Sequence, residues 1–217
     1  KPASPERITV SIRNALSMGA LKGEVDRLKK HQSGRTTFAA LIGGSPPMQM
    51  VKRIGERAAK SSIPILITGE SGVGKEVMAR HIHLASARAR APFIAINCAA
   101  IPDSLLEATL FGHEKGSFTG ASRQQAGKFE QAHGGTLYID ELADMPTETQ
   151  GKVLRVLVDQ TFLRVGGAKK VKVDIRVVSS TSRDLPSLIS IGRFREDLYH
   201  RLGVVPIDVP GLGERRE

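Results

Sequence analysis

Apolar positions near the start of the chain recur every three or four places: Ile8, Ile12, Ala15, Met18, Leu21, Val25 and Leu28. That period predicts a helix over residues 4–30 with one apolar stripe, suited to a partner helix or a coiled coil. Ser4 is placed to cap it, Pro5 fits its first turn, and Glu6 suits the positive end of its dipole. Gly19 and Gly23 weaken it by about 1 kcal/mol each relative to alanine, which marks where it would break. Residues 31–37 are polar, with Ser33-Gly34 as a breaker, and read as a linker.

From Phe38 the pattern changes. Short apolar runs at 63–68, 93–97, 136–139 and 173–179 predict strands, and stretches at 48–60, 75–87, 147–160 and 194–202 predict helices. Strands alternating with helices imply an α/β class with a mostly parallel sheet covered by helices on both faces. In such sheets ligands bind beyond the carboxyl ends of the strands. There is no internal repeat and no low-complexity tract.

The 217 residues suit one large domain, or one domain with a small appendage. Hydrophobic residues make up 40% and charged residues 25%, which excludes a disordered or collagen-like chain. No run approaches 18 uninterrupted apolar residues, so neither a transmembrane helix nor a membrane partner is expected. A single cysteine, Cys98, cannot form an internal disulfide, and a reducing cytoplasm is the expected compartment. The net charge is +10, and residues 1–37 hold eight Lys/Arg against three Asp/Glu. Half of the excess therefore lies in the first sixth of the chain. It reads as a solvated helix and linker or as a nucleic-acid surface; aromatics clustered for base stacking are absent.

The chemistry begins at residue 69. The run at 63–68 leads straight into Gly69-Glu-Ser-Gly-Val-Gly-Lys-Glu76. Gly69, Gly74 and Lys75 fit the G-x-x-x-x-G-K spacing. Glycines let backbone N–H groups converge on a phosphate, the helix that follows adds its positive end, and Lys75 reaches the terminal phosphates. Glu76 stands where a magnesium-touching Ser or Thr is usual. Sixty-five residues beyond Lys75, a strand ends in Asp140-Glu141. Asp140 is placed to hold a magnesium shell, and Glu141 to orient and deprotonate water. Together the two segments predict a P-loop NTPase.

These residues resemble one family. The loop Gly69–Glu76, including its terminal Glu76, is similar to that of the bacterial enhancer-binding proteins, the AAA+ activators of sigma-54 RNA polymerase typified by NtrC-like response regulators. The segment Leu110-Phe-Gly-His-Glu-Lys-Gly-Ser-Phe-Thr-Gly-Ala121 resembles the family's GAFTGA loop. Ser117 replaces an alanine there, and the resemblance assigns sigma-54 contact to Gly116, Ser117, Phe118, Thr119, Gly120 and Ala121. It assigns nucleotide binding to Gly69, Glu70, Ser71, Gly72, Val73, Gly74, Lys75 and Glu76. It makes Asn97 the residue that holds Glu141 and couples nucleotide state to the loop, and Thr181 the sensor of the terminal phosphate. Where the family usually follows that threonine with Asn, this chain has Ser182. Arg195 and Arg201 match arginine fingers that act on a neighbouring subunit's site, and Gly203 departs from a family Asn.

The resemblance covers residues 41–217. It implies an AAA+ α/β subdomain over 38–217 that hydrolyses ATP with Mg2+, preceded over 1–37 by a linker helix. Lys1-Pro2 resembles the end of a receiver domain, which would make the chain an internal piece of a response regulator. The helical lid and the C-terminal helix-turn-helix that would bind DNA are expected outside these residues. By resemblance the complete protein forms a hexameric ring and remodels the closed sigma-54 polymerase complex in the bacterial cytoplasm. This stretch alone is expected to be monomeric or dimeric. Two alternatives stay open at this point: another AAA+ remodelling machine such as a chelatase or helicase relative, and a non-catalytic basic module that binds DNA or a partner.

Overall fold

The computed structural model describes residues 44–215. The expected helix over 4–30, the linker, the receiver remnant and the boundary at 37/38 lie outside the described residues. Among the described residues no helix is long and apolar enough to cross a membrane.

The centre is a five-stranded sheet in the order β2-β5-β8-β1-β9. Its strands are β1 (Ile65–Thr68), β2 (Phe93–Asn97), β5 (Thr136–Asp140), β8 (Arg176–Thr181) and β9 (Val205–Asp208), and every pairing is parallel. Helices flank the sheet, as expected of a P-loop NTPase: α1 (Pro46–Ala59), α2 (Lys75–Leu84), α3 (Asp103–Phe111), α4 (Lys128–Gln131), α5 (Thr147–Asp159), α6 (Leu185–Ser190) and α7 (Glu196–Leu202). Two small antiparallel pairs stand apart from it. They join β3 (Gly112–His113) to β4 (Gln125–Ala126), and β6 (Thr161–Leu163) to β7 (Lys170–Lys172).

The central strands read as near-continuous apolar runs because both faces are covered. All six residues of β8 are buried. One core cluster gathers Leu106, Leu110, Phe129, Leu137, Ile139, Val153, Leu198 and Leu202, each fully buried. Phe111, Phe129 and Phe162 pack there with ring centroids 5.3–5.8 Å apart.

The predicted strands at 93–97 and 136–139 match observed ones. The run at 173–179 is corrected: β8 starts three residues later, because Val173 and Asp174 bond to Gln160 and Gly134 outside the ladder. Its first residue, Arg176, is 1% exposed and donates to the carbonyls of Ala58 and Ala59. A buried cation is tolerated there because it satisfies the last carbonyls of α1, at the negative end of that helix. Helices α3, α4 and α6, strand β9 and both hairpin pairs have no counterpart among the predicted elements. All but α3 are short or edge elements without a sustained period.

His83 on α2 sits under the sheet, 3% exposed, with Nδ1 2.9 Å from the Thr136 hydroxyl. Burial holds its pKa below the ordinary histidine value, and the cations of Arg176 and Arg80 push the same way. The unfolded chain then binds a proton near pH 6.5 that the folded chain refuses, so stability is lost as pH falls below that value. Between pH 7.5 and 5.5 the histidine should cost at most about 1.4 kcal/mol. Urea unfolding at both pH values checks this. His83→Gln should flatten the difference by that amount, and an unchanged difference would exclude His83 as its source.

Candidate functional site

The parallel register brings the carboxyl ends of all five strands to one edge of the sheet. Thr68 lies opposite Thr181 and Asp208, and Asn97 opposite Asp140. Beyond Thr68 the chain turns through Gly69 (φ +142°), Gly72 (φ +81°) and Gly74 (φ +94°). At Gly69 a side chain is excluded twice over: by its backbone angle, and because a Cβ would come 2.6 Å from the Val209 carbonyl. Glu70, Ser71 and Gly72 are exposed, and Val73 is buried beneath them. Helix α2 starts at Lys75, and its first backward bond runs from Met78 N–H to Gly74 O. The amides of its first turn are thus left without intrahelical acceptors, facing the glycine turn with the positive end of the dipole.

The Lys75 side chain is only 6% exposed, folded into this turn. Its ammonium donates to the carbonyls of Gly69 and Glu70 at 3.0 Å and lies 3.6 Å from Oε1 of Glu141. Glu76 points along the helix instead, paired with Arg80 at 2.7 Å.

At the end of β5 the two acids are held differently. Asp140 Oδ1 accepts from the buried hydroxyls of Tyr138, at 2.9 Å, and Ser180, while Oδ2 accepts from the Asn97 amide at 3.2 Å. Glu141 occupies the left-handed region (φ 47°, ψ 54°), a conformation that costs a non-glycine residue about 1–3 kcal/mol and turns its carboxylate back over the strand end. Oε2 of Glu141 accepts two bonds from Ser182, from its N–H at 3.1 Å and its hydroxyl at 2.9 Å. In the structure Asn97 thus donates to Asp140, and Glu141 is held by Ser182. The register explains it, since Asn97 is directly across from Asp140 on the neighbouring strand. Ser182, noted in the sequence only as a departure, is the residue that sequence reasoning missed here. Thr181 is fully buried, and its Oγ1 accepts the N–H of Arg183 at 3.1 Å.

Two predicted residues are not brought to this cluster. Arg195 caps the start of α7 and is paired with Asp197 through bonds of 3.0 and 2.6 Å. Arg201 donates to the Leu157 carbonyl at 2.9 Å. Neither bonds to Lys75, Asp140 or Glu141.

The 116–121 segment is the tip of a built loop. The β3–β4 pair forms its stem, and Gly116 N–H bonds to Ala121 O at 2.8 Å to close the tip. Gly116 and Gly120 take positive φ values that turn the chain. Phe118, Thr119 and Gly120 are exposed, with Phe118 edge-on to His113 at 4.9 Å, and Ala121 is buried. The turn after β6 props this loop: Val165 exchanges backbone bonds with Gly112 and Glu114 at 3.0 Å. Arg164 joins Glu114 at 2.9 Å and Glu130 at 2.7 Å. Ser117 presses against Gly166, where a Cβ would come within 2.6 Å of it, and its hydroxyl finds no hydrogen-bond partner. An alanine would fill that space equally well. The pair Gly166-Gly167 after an apolar strand was the available signal for this prop.

A cavity of about 490 Å³ opens beside the glycine turn, lined by Thr68, Gly69, Glu70, Thr181, Ser182 and Tyr199 among others. Among the described residues no group of three or more His, Cys, Asp or Glu side chains is arranged to hold a metal by itself. The acids at the strand end offer one or two hard oxygen ligands. That fits magnesium, which takes few protein carboxylates and completes its shell with water and substrate phosphate. Cys98 is no rival nucleophile, because burial, with Asp144, Asp140 and Glu141 nearby, pushes its thiol up to about 12.

Residues 41–208 match the family described as the Sigma-54 interaction domain. The chain is 55% identical over 179 residues to the DNA-binding transcriptional regulator NtrC of Klebsiella pneumoniae, covering 82% of this chain and 38% of that protein. It is 51% identical over 217 residues to the nitrogen assimilation regulatory protein NtrX of Azorhizobium caulinodans, covering all of this chain and 46% of the relative. Among solved structures, NtrX from Brucella abortus superposes with a TM-score of 0.85 at 47% identity, covering 100% of this chain and 47% of that one. The same protein in complex with ATP gives 0.79 at 48% identity, covering 99% and 47%. The chain thus spans less than half the length of these relatives.

Proposed function

Because the chain belongs to the family of Sigma-54 interaction domains, we propose that it is the ATP-hydrolysing core of a transcriptional activator that remodels sigma-54 RNA polymerase at a closed promoter complex. The observation that carries this is the pairing of two devices in one domain. A glycine turn with Lys75 faces Asp140 and Glu141 at 3.6 Å from the latter, and an exposed Phe118-Thr119 tip stands on a braced stem. An AAA+ machine without sigma-54 as target would not need that tip. A basic binding module would not need a buried lysine set against a strained glutamate.

The substrate is ATP. The backbone of Gly69, Glu70, Ser71, Gly72, Val73 and Gly74 wraps the phosphates, and Lys75 leaves its carbonyl partners to neutralise the terminal ones. Asp140 would hold magnesium, which when bound would offset charge on the phosphates. Glu141 takes a proton from the attacking water, and Thr181 reports the terminal phosphate. Asn97 ties Asp140 to the segment leading into α3 and the 116–121 loop, a route from site to tip.

The side chain of Arg195 is paired with Asp197 and that of Arg201 donates to the Leu157 carbonyl, both within their own chain and away from Lys75, Asp140 and Glu141. We assign them to a neighbour's site, which requires a ring, by family a hexamer. Residues 1–37 are the end of a receiver domain and its linker. The bacterial cytoplasm, where the polymerase works, is the compartment.

Turnover per chain in the full-length protein is expected to rise steeply with protein concentration and to level off once rings saturate. Phosphate release measured across about two decades of concentration checks this. A flat, fully active profile down to concentrations where light scattering finds only monomer would remove the arginines' role in trans.

A further inference from the structure

Glu141 carries two oxygens in unlike surroundings. Oε2 takes both donors of Ser182, while Oε1 lies toward Lys75 at 3.6 Å. Two residues earlier on β8, Ser180 donates to Asp140. Strands β5 and β8 are parallel neighbours, Ile139 opposite Ser179, so the two serines address the two acids in turn. Thr181 between them spends its hydroxyl on the local turn to Arg183. Ser182 does not: its hydroxyl leaves its own segment for a residue 41 positions away.

We propose that Ser182 is a positioning residue for ATP hydrolysis, tethering Glu141 by Oε2 so that Oε1 alone is presented to the attacking water. The inference rests on Glu141 being the base. In the free site Oε1 faces Lys75, the cation that phosphate will claim. An untethered glutamate has three rotatable side-chain bonds and would follow the ammonium, staying ion-paired and unable to take a proton. Two donors on Oε2 stop this. When Lys75 moves to phosphate, Oε1 is released and the carboxylate stays where it was. The residual ordering cost is already met in the folded site, which is how a positioned group gains rate. The family pattern gives this task to Asn97, but here that amide is on Asp140.

Ser182 is exposed, so trimming its side chain leaves no cavity. In the full-length protein, Ser182→Ala should lower kcat for ATP about 10-fold, the scale of a lost hydrogen bond to a charged group, with KM for ATP within twofold. Ser182→Thr keeps the hydroxyl and should recover kcat to within threefold of the parent. In a Glu141→Gln background, Ser182→Ala should cost less than twofold, because its effect runs through the carboxylate. If Ser182→Ala keeps kcat within twofold of the parent, or if its full loss persists beside Glu141→Gln, the tether is refuted while the base assignment stands. If Glu141→Gln alone retains turnover within threefold, the base assignment fails and the tether with it.

Discussion

Glu141→Gln should slow ATP hydrolysis by about 10²–10⁴-fold while leaving ATP binding intact, the usual worth of a positioned base. That range corresponds to about 3–5 kcal/mol of barrier. The geometry makes the substitution a clean one. Glutamine has the same shape, and its amide oxygen can still accept the two Ser182 bonds now made by Oε2. What disappears is the proton acceptor and the negative charge facing Lys75 at 3.6 Å. Lys75 keeps its bonds to the Gly69 and Glu70 carbonyls, so the phosphate cradle stays assembled. With its ion-pair partner gone, its ammonium is freer to meet phosphate, and nucleotide affinity should hold or rise. A fluorescent ATP analogue measures the binding, and phosphate release measures the chemistry. Turnover within threefold of the parent would rule out Glu141 as the base.

The second large effect falls at the other end of the domain. Phe118→Ala or Thr119→Ala in the full-length protein should cut sigma-54-dependent open-complex formation by on the order of 100-fold or more, the scale of losing an aromatic anchor from an interface. ATP turnover should stay within about threefold. The tip closes on itself through Gly116 N–H to Ala121 O, and the bracing pairs of Arg164 reach Glu114 and Glu130 below it. Phe118 is 37% exposed and rests only edge-on against His113, so its removal leaves the stem standing. Residues 116–121 carry no charged group and no ligand for a metal or phosphate. Their loss therefore uncouples work from hydrolysis without stopping hydrolysis. Two measurements on one mutant decide it: phosphate release, and sigma-54 binding with an ATP transition-state mimic present. A mutant that still binds and activates like the parent would sink the sigma-54 assignment and leave the ATPase assignment untouched.

What could be read from sequence was local. The glycine spacing from Gly69 to Gly74, the lysine beside it, the strand before and the helix after lie within about twenty residues. Their conformation follows from neighbours in the chain, because only glycine enters positive φ cheaply. The adjacent acids at 140–141 and the glycine-flanked tip at 116–121 are equally local. So was the alternation of strands and helices, which sets the fold class. Strand order, by contrast, is a matter of pairing between residues tens of positions apart, and no local pattern encodes it. It decided that Asn97 meets Asp140, that Ser180 and Ser182 divide the acids between them, and that Arg164 braces a loop 50 residues upstream. Each contact depends on register across the sheet or between the paired hairpins. A shift of one residue would turn every such side chain to the opposite face. The chain by itself thus specified which groups do the chemistry. The tertiary structure alone specified which oxygen of which acid each donor holds, because short side chains such as serine reach a partner only where the backbone has already placed it.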